Sequence, residues 1–397
     1  VSEGRLERYA DLIVEMGANV QPGQIVGVSA GTHNAELVRA VAVSAYRHGA
    51  RFVDVQYVDT QVKRARLEHA AEETLDYVPP WYGARLLAHG EHHAARVSIV
   101  PVLEPGVLDG VDPERAGKDR LPFLPETFPV INARTTNWTV VAHPTEAWAR
   151  EVFPELEEAA ALERLWSEVE HVCRLDEPDP AAAWRARRDE LRATAARLTE
   201  RRFDALHFEG PGTDLTLGLL PGSVWAGGGQ KNVDGIEHLS NLPTEEVFTA
   251  PDPQRADGFV RATKPLVLSG ATIEGLTVRF EGGRAVEIDA DQNAEVLRGN
   301  TATDDGAARL GEVALVDRRG RIGRLGTTFL TTLLDENAAS HLALGNAYER
   351  SAPEEAERLN RSAVHIDFMV GGDDVSVTGV TSDGARIPVL RAGEWQL

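Results

Sequence analysis

The chain has 397 residues, 42% of them hydrophobic, and that length favours two or more cores over one. Lys and Arg total 41 against 62 Asp and Glu, a formal charge of −21 that repels a phosphate backbone and argues against nucleic acid as a partner. The one cysteine, Cys173, rules out an intrachain disulfide and a thiolate cluster, so any metal must sit on nitrogen and oxygen. No run reaches the roughly 18 apolar residues of a membrane helix. No apolar signal region follows residues 1–5 either, so a cytoplasmic chain without a membrane partner is expected.

In chain order, residues 6–16 carry apolar side chains at helical spacing, and Pro22-Gly23 breaks them before the apolar run 25–28. Residues 34–48 read as a helix ending at Gly49, and 52–55 as a strand. Further strands are expected at 97–100 and 139–141, an alternation that implies a parallel sheet. Residues 145–201 read as a charged helical bridge anchored by Trp166 and Trp184, with a break at Pro178-Asp179-Pro180. Beyond 201, short runs at 215–219, 276–280 and 286–288 are separated by glycine turns, of which Glu281-Gly282-Gly283-Arg284 signals a hairpin. One helix is expected at 338–349. The fold class is therefore an α/β N-terminal domain over 1–200 plus a β-rich α+β C-terminal domain over 201–397. No phosphate-binding glycine loop is present.

Chemistry concentrates in the C-terminal half. In Val364-His365-Ile366-Asp367-Phe368-Met369-Val370, strand alternation puts His365 and Asp367 on one face and the apolar residues on the other. A carboxylate gains nothing in such a strand unless a cation or several donors compensate it, although a simple His–Asp hydrogen bond would also serve. In Asp335-Glu336-Asn337-Ala338-Ala339-Ser340-His341, an Asn337 cap would leave Glu336 outside the helix. His341, Gly345 and Tyr348 would then share a helical stripe. Glu312 interrupts the apolar run 310–316, and Glu246 is one of two adjacent glutamates entering a strand, so only one of that pair can face an internal site. Taken singly, each of these carboxylates also fits an edge strand facing water. Together, Glu246, Glu312, Glu336 and Asp367 would bring four negative charges into one cleft, enough for two divalent cations, with His341 and His365 as neutral nitrogen ligands. Two ions sharing a carboxylate can activate water and polarise a carbonyl, the chemistry of amide hydrolysis.

The stretch 241–251, the pair Gly311-Glu312, the block 335–348 and the block 365–371 resemble, in order and spacing, the motifs of the thermophilic metalloaminopeptidases of the aminopeptidase T and S type. Residues 6–28 and 379–395 extend the likeness to essentially the whole chain. The resemblance implies an exopeptidase that acts on peptide substrates with a free N-terminus. It implies metal-ligand roles for Glu246, Glu312, Glu336, His341, His365 and Asp367, with Glu312 bridging, and a catalytic role beside the metals for Tyr348. It also implies a homodimer. The ions would be zinc, cobalt or manganese, with magnesium admissible. Glu245 or Glu336 could shuttle a proton to the leaving amine. The competing readings are another two-metal hydrolase, a dipeptidase or esterase, and a non-catalytic relative that binds a ligand in the same cleft.

Overall fold

Four short apolar runs, each followed by helix, build the first sheet. A computed structural model describes residues 3–102, 104, 106–119, 121 and 124–397. The chain parts into two units, 1–187 with 229–244, and 188–228 with 245–397. The position read from the sequence at residue 200 lies within the helix Pro180–Arg201, which passes from the first unit to the second after Arg187. Residues 229–244 return to the first unit, which local sequence character does not reveal.

In the first unit, Ile25–Gly31, Phe52–Val58, Ala95–Val100 and Asn137–Ala142 form a parallel sheet, and the later pair Asn241–Leu242 adds a fifth strand beside Asn137–Ala142. Parallel strands need crossovers, and helices such as Ala35–Arg47, with Leu37, Val38, Val41 and Ala45 buried along one stripe, supply them. Asp59 caps Thr60–His69 by accepting from the amides of Gln61 and Val62. The region expected as a bridge is mostly part of this unit: Glu146–Val152 and Glu158–Val172 lie within it, and Trp148, Trp166 and Trp184 are fully buried. Large aromatic side chains bind those helices into the core, which their surface charge alone does not announce. Among the described residues no helix is long and apolar enough to cross a membrane.

The second unit is antiparallel. An eight-stranded sheet runs in the order Arg284–Asp289, Thr277–Glu281, Pro251–Arg261, Thr213–Leu219, Ala205–Gly210, Ser376–Val380, Arg386–Arg391, Glu394–Trp395. A five-stranded sheet runs His365–Met369, His341–Gly345, Leu310–Val316, Glu246–Thr249, Ala226–Gly227. One core joins them: Phe208, Leu215 and Leu217 of the larger sheet cluster with Val247, Val313, Leu315, Leu342, Leu344, Ile366 and Phe368 of the smaller. The expected helix at 338–349 is corrected here. His341–Gly345 is a strand hydrogen-bonded on both sides, and the nearest α-helix, Thr332–Asp335, ends before it. Leu and Ala favour a helix in isolation, but two neighbouring strands that need a partner override that preference.

Candidate metal centre

Because side chains alternate along a strand, a five-stranded sheet with one face in the core must present the other residues together. Glu246, Glu312, His341, His365 and Asp367 all lie on the face opposite the core. Glu312 pairs with Ala343, which pairs with Asp367, while His341 pairs with Ala314 and His365 with Gly345. The small residues between them leave the space above the sheet to the longer acidic and imidazole side chains.

Simple alternation would put Glu312 on the same face as Leu310, which is in the core. A bulge prevents it: Leu310 pairs with Leu344 and Glu312 with the adjacent Ala343, so Gly311 is the extra residue. Gly311 is bare for a reason, since a Cβ there would fall inside contact distance of the Gly345 carbonyl oxygen and at 2.6 Å from that of Asn346.

The side chains converge closely. His341 Nε2 lies 3.1 Å from Glu246 Oε2 and 3.6 Å from Glu312 Oε1, and His365 Nε2 lies 3.9 Å from Glu312 Oε2 and 3.4 Å from Asp367 Oδ1. Glu336, at the end of the Thr332–Asp335 helix, joins His341 and Asp367. Both imidazoles are oriented from behind: His365 Nδ1 donates to the Asn346 carbonyl at 2.7 Å and His341 Nδ1 to that of Ala339 at 3.2 Å. That arrangement orients both rings and turns both Nε2 atoms inward.

Burial pushes the Glu312 carboxyl up, with Glu246 and Asp367 adding to the rise and His341 opposing it. Burial, then Asp367 and Glu246, puts Glu336 well above the usual carboxylate range. Burial would lower His341, but the Glu246 and Glu312 carboxylates outweigh it and hold the imidazole well up. For His365 burial again works downward, yet Asp367 and Glu312 raise it to about 10. Asp367 is held low, since the two imidazoles overcome its burial. The protein alone therefore retains protons to relieve crowded carboxylates. Divalent cations could take over that role, and the donor set of carboxylate oxygens and imidazole nitrogens suits them. Asp367 Oδ1, buried and without a hydrogen bond, fits the same reading.

Tyr348 stands at the rim. Its ring centre is 5.3 Å from that of His365 and 6.0 Å from that of Phe248, and burial, then Glu312 and Asp367, keeps its phenol well above the ordinary value. It arrives there from the irregular segment between the His341–Gly345 strand and the short helical turn Glu349–Ser351, not from a helical stripe with His341. All seven residues singled out in the sequence are thus brought together. Asn337, expected as a helix cap, instead accepts from the Glu245 amide at 2.7 Å and donates to Leu333 O at 2.8 Å, with Glu336 Oε1 at 3.4 Å. Sequence reasoning missed the orienting carbonyls of Ala339 and Asn346, because backbone oxygens leave no mark in a side-chain pattern. It also missed Arg350, whose guanidinium lies 4.8 Å above the Phe248 ring and 5.7 Å from that of Tyr348.

Comparison with known proteins follows the same lines. The model of the family described as thermophilic metalloprotease (M29) matches residues 2–395. Aminopeptidase T of Thermus aquaticus is 44% identical over 400 residues, covering 98% of each chain. Aminopeptidase PepS of Streptococcus thermophilus is 41% identical, covering 98% of this chain and 97% of that one. The solved structure of wild-type AmpT from Thermus thermophilus superposes with a TM-score of 0.89 at 41% identity, covering 100% of both chains.

Proposed function

The chain belongs to the thermophilic metalloprotease (M29) family, and from that premise we propose that it releases N-terminal amino acids from peptides at a centre of two divalent cations. It is a peptide-bond hydrolase of the metalloaminopeptidase kind. The observation that carries the two-cation reading is Glu312, whose two oxygens face different imidazoles, Oε1 toward His341 and Oε2 toward His365. Glu246 and His341 would hold one cation, His365 and Asp367 the other, with Glu312 shared and Glu336 reaching His341 and Asp367. Zinc, cobalt and manganese suit these donors, and magnesium is admissible. Cations there supply, when bound, Lewis acidity toward a carbonyl and a lowered pKa for water.

The chain's own groups supply the rest. Tyr348, kept protonated by burial, can donate its O–H toward the oxygen on which charge develops. Glu336, beside His341 and Asp367, or Glu245, whose backbone amide donates to Asn337, would carry a proton toward the leaving amine. The free amine of the substrate would be held by a cation or by a carboxylate, which selects an N-terminus. We also propose a homodimer, on the family resemblance alone, which sedimentation of the metal-loaded protein checks. The main test is dialysis against a strong chelator, metal analysis, and turnover of aminoacyl amides beside N-acetylated amides and esters. Two ions per chain, activity lost on chelation and restored by zinc, cobalt or manganese, and a drop of roughly tenfold or more on acetylation are expected, the last from losing a charge-assisted contact. Full activity in a verified metal-free sample would sink the mechanism, and equal turnover of blocked and free substrates would favour a general two-metal hydrolase.

A further inference from the structure

The parallel sheet of the first unit has one buried face and one half-open face, whereas sheets of this kind are normally covered on both. Across the half-open face, Asp54, Gly27, Arg96 and Trp138 sit side by side on four adjacent strands. Gly27 has no side chain, and the His89 ring occupies the space, since a Cβ on Gly27 would meet its Cε1 at 2.5 Å. Asp54 is fully engaged: Arg85 donates from Nε at 2.8 Å and from Nη2 at 2.5 Å, and His89 Nε2 donates at 2.9 Å.

Arg96 is left over. Among the described residues its guanidinium has neither a hydrogen bond nor an ion pair, and burial lowers it to about 10 with no carboxylate raising it. The neighbouring Trp138 indole N–H likewise has no acceptor among the described residues. Ser98, two residues along the same strand and about 6.6 Å away by strand rise, lies on the same face. It receives the Ser29 hydroxyl at 3.2 Å, which leaves its own O–H to donate outward. Asp54 is thus taken up by Arg85 and His89, and the Arg96 charge has no carboxylate partner among the described residues, in a chain whose net charge is −21. Arg96, Trp138 and Ser98 carry three donors at neighbouring positions of one sheet face.

We propose that this face is an anion site, in which a small oxyanion, a carboxylate or a phosphate group, is held by the Arg96 guanidinium with the Trp138 N–H and the Ser98 hydroxyl. An oxyanion matches the fork of a guanidinium, and two further donors suit its remaining lone pairs. The site lies wholly within the first unit and uses none of the residues of the metal centre.

The test titrates the metal-loaded, active protein at constant ionic strength with sodium acetate in one series and inorganic phosphate in another. Tryptophan fluorescence is read, and a Trp138→Phe variant assigns the signal. Saturable binding is expected, with a rise in Tm at saturating anion. Arg96→Gln should weaken it tenfold or more while kcat/KM on an aminoacyl amide stays unchanged, and Arg96→Lys, which keeps the charge but not the fork, should fall between. Removing an uncompensated charge should leave the fold as stable or more so. If Arg96→Gln does not fold, Arg96→Lys and Ser98→Ala carry the same readouts. Binding in the acetate series alone marks a carboxylate ligand, and in the phosphate series alone a phosphate. No saturable binding of either anion, or an affinity untouched by the substitutions, as for an anion bound at the metals, would overturn the proposal.

Discussion

Gly311→Ala should damage the metal centre without touching any acidic or imidazole side chain in it. The added methyl would overlap the Gly345 carbonyl oxygen and stand 2.6 Å from that of Asn346, where ordinary contact begins at 3.4 Å. Both obstacles are backbone, so the strand end must move by several tenths of an ångström or more, at a cost of about 1–3 kcal/mol, typical of overpacking. The Asn346 oxygen is also the acceptor that orients His365 through Nδ1 at 2.7 Å. Displacing it should loosen the His365 ring and, with the bulge strained, the aim of Glu312. Loss of an orienting partner of this kind weakens metal binding by about 10–100-fold. Urea unfolding of the metal-free protein measures the first effect, and metal titration with kcat/KM on an aminoacyl amide measures the second. A Gly311→Ala variant with wild-type stability and metal affinity would show that the bulge neither needs glycine nor supports the site.

Three other outcomes follow from the site. Glu312→Gln keeps the shape but removes a charge-assisted contact, about 1.5–3 kcal/mol, to each of two cations, so one ion should be lost or held roughly 10–10²-fold more weakly and kcat should fall by orders of magnitude. In the metal-free protein the same change should be neutral or stabilising by about 1 kcal/mol, because burial already disfavours that carboxylate, and thermal melts with and without metal separate the two effects. Tyr348→Phe should lower kcat by about 10²–10³ and shift stability by less than about 1 kcal/mol, since the ring beside Phe248 is kept; steady-state kinetics and melts check it. For pH, the His365 pKa rises on folding to about 10, so its contribution to metal-free stability is complete below its unfolded value, about 6.5, and is lost as pH rises towards 10. Glu312, also raised, acts in the same direction above its own unfolded value. Melts of chelated protein should therefore decline across that window. Metal binding should strengthen with pH and release protons, detectable by calorimetry in buffers of different ionisation enthalpy, and a flat profile would contradict the assignment.

The sequence by itself determined the parts that rest on local periodicity. The apolar runs at 25–28, 52–55, 97–100 and 139–141 are the cores of four parallel strands, since burial on a sheet face demands that composition wherever the strand ends up. His365 and Asp367 were legible as sharing a face because Ile366 and Phe368 are needed in the core between them. Glu312 was conspicuous because a charge in an apolar run must be compensated. Tertiary structure alone decided the rest. His341–Gly345 is a strand because the Glu312 and His365 strands flank it, a demand made from residues far along the chain. Residues 229–244 join the first unit because Asn241–Leu242 pairs with Asn137–Ala142, a contact across about a hundred residues that no local pattern encodes. The face on which Glu312 appears depends on the Gly311 bulge, and the direction of both imidazoles on the carbonyls of Ala339 and Asn346. A sequence lists side chains, whereas register and backbone oxygens acquire positions only when strands pair, and that pairing brings Glu246, Glu312, His341, His365 and Asp367 onto one face, where Glu336 joins them.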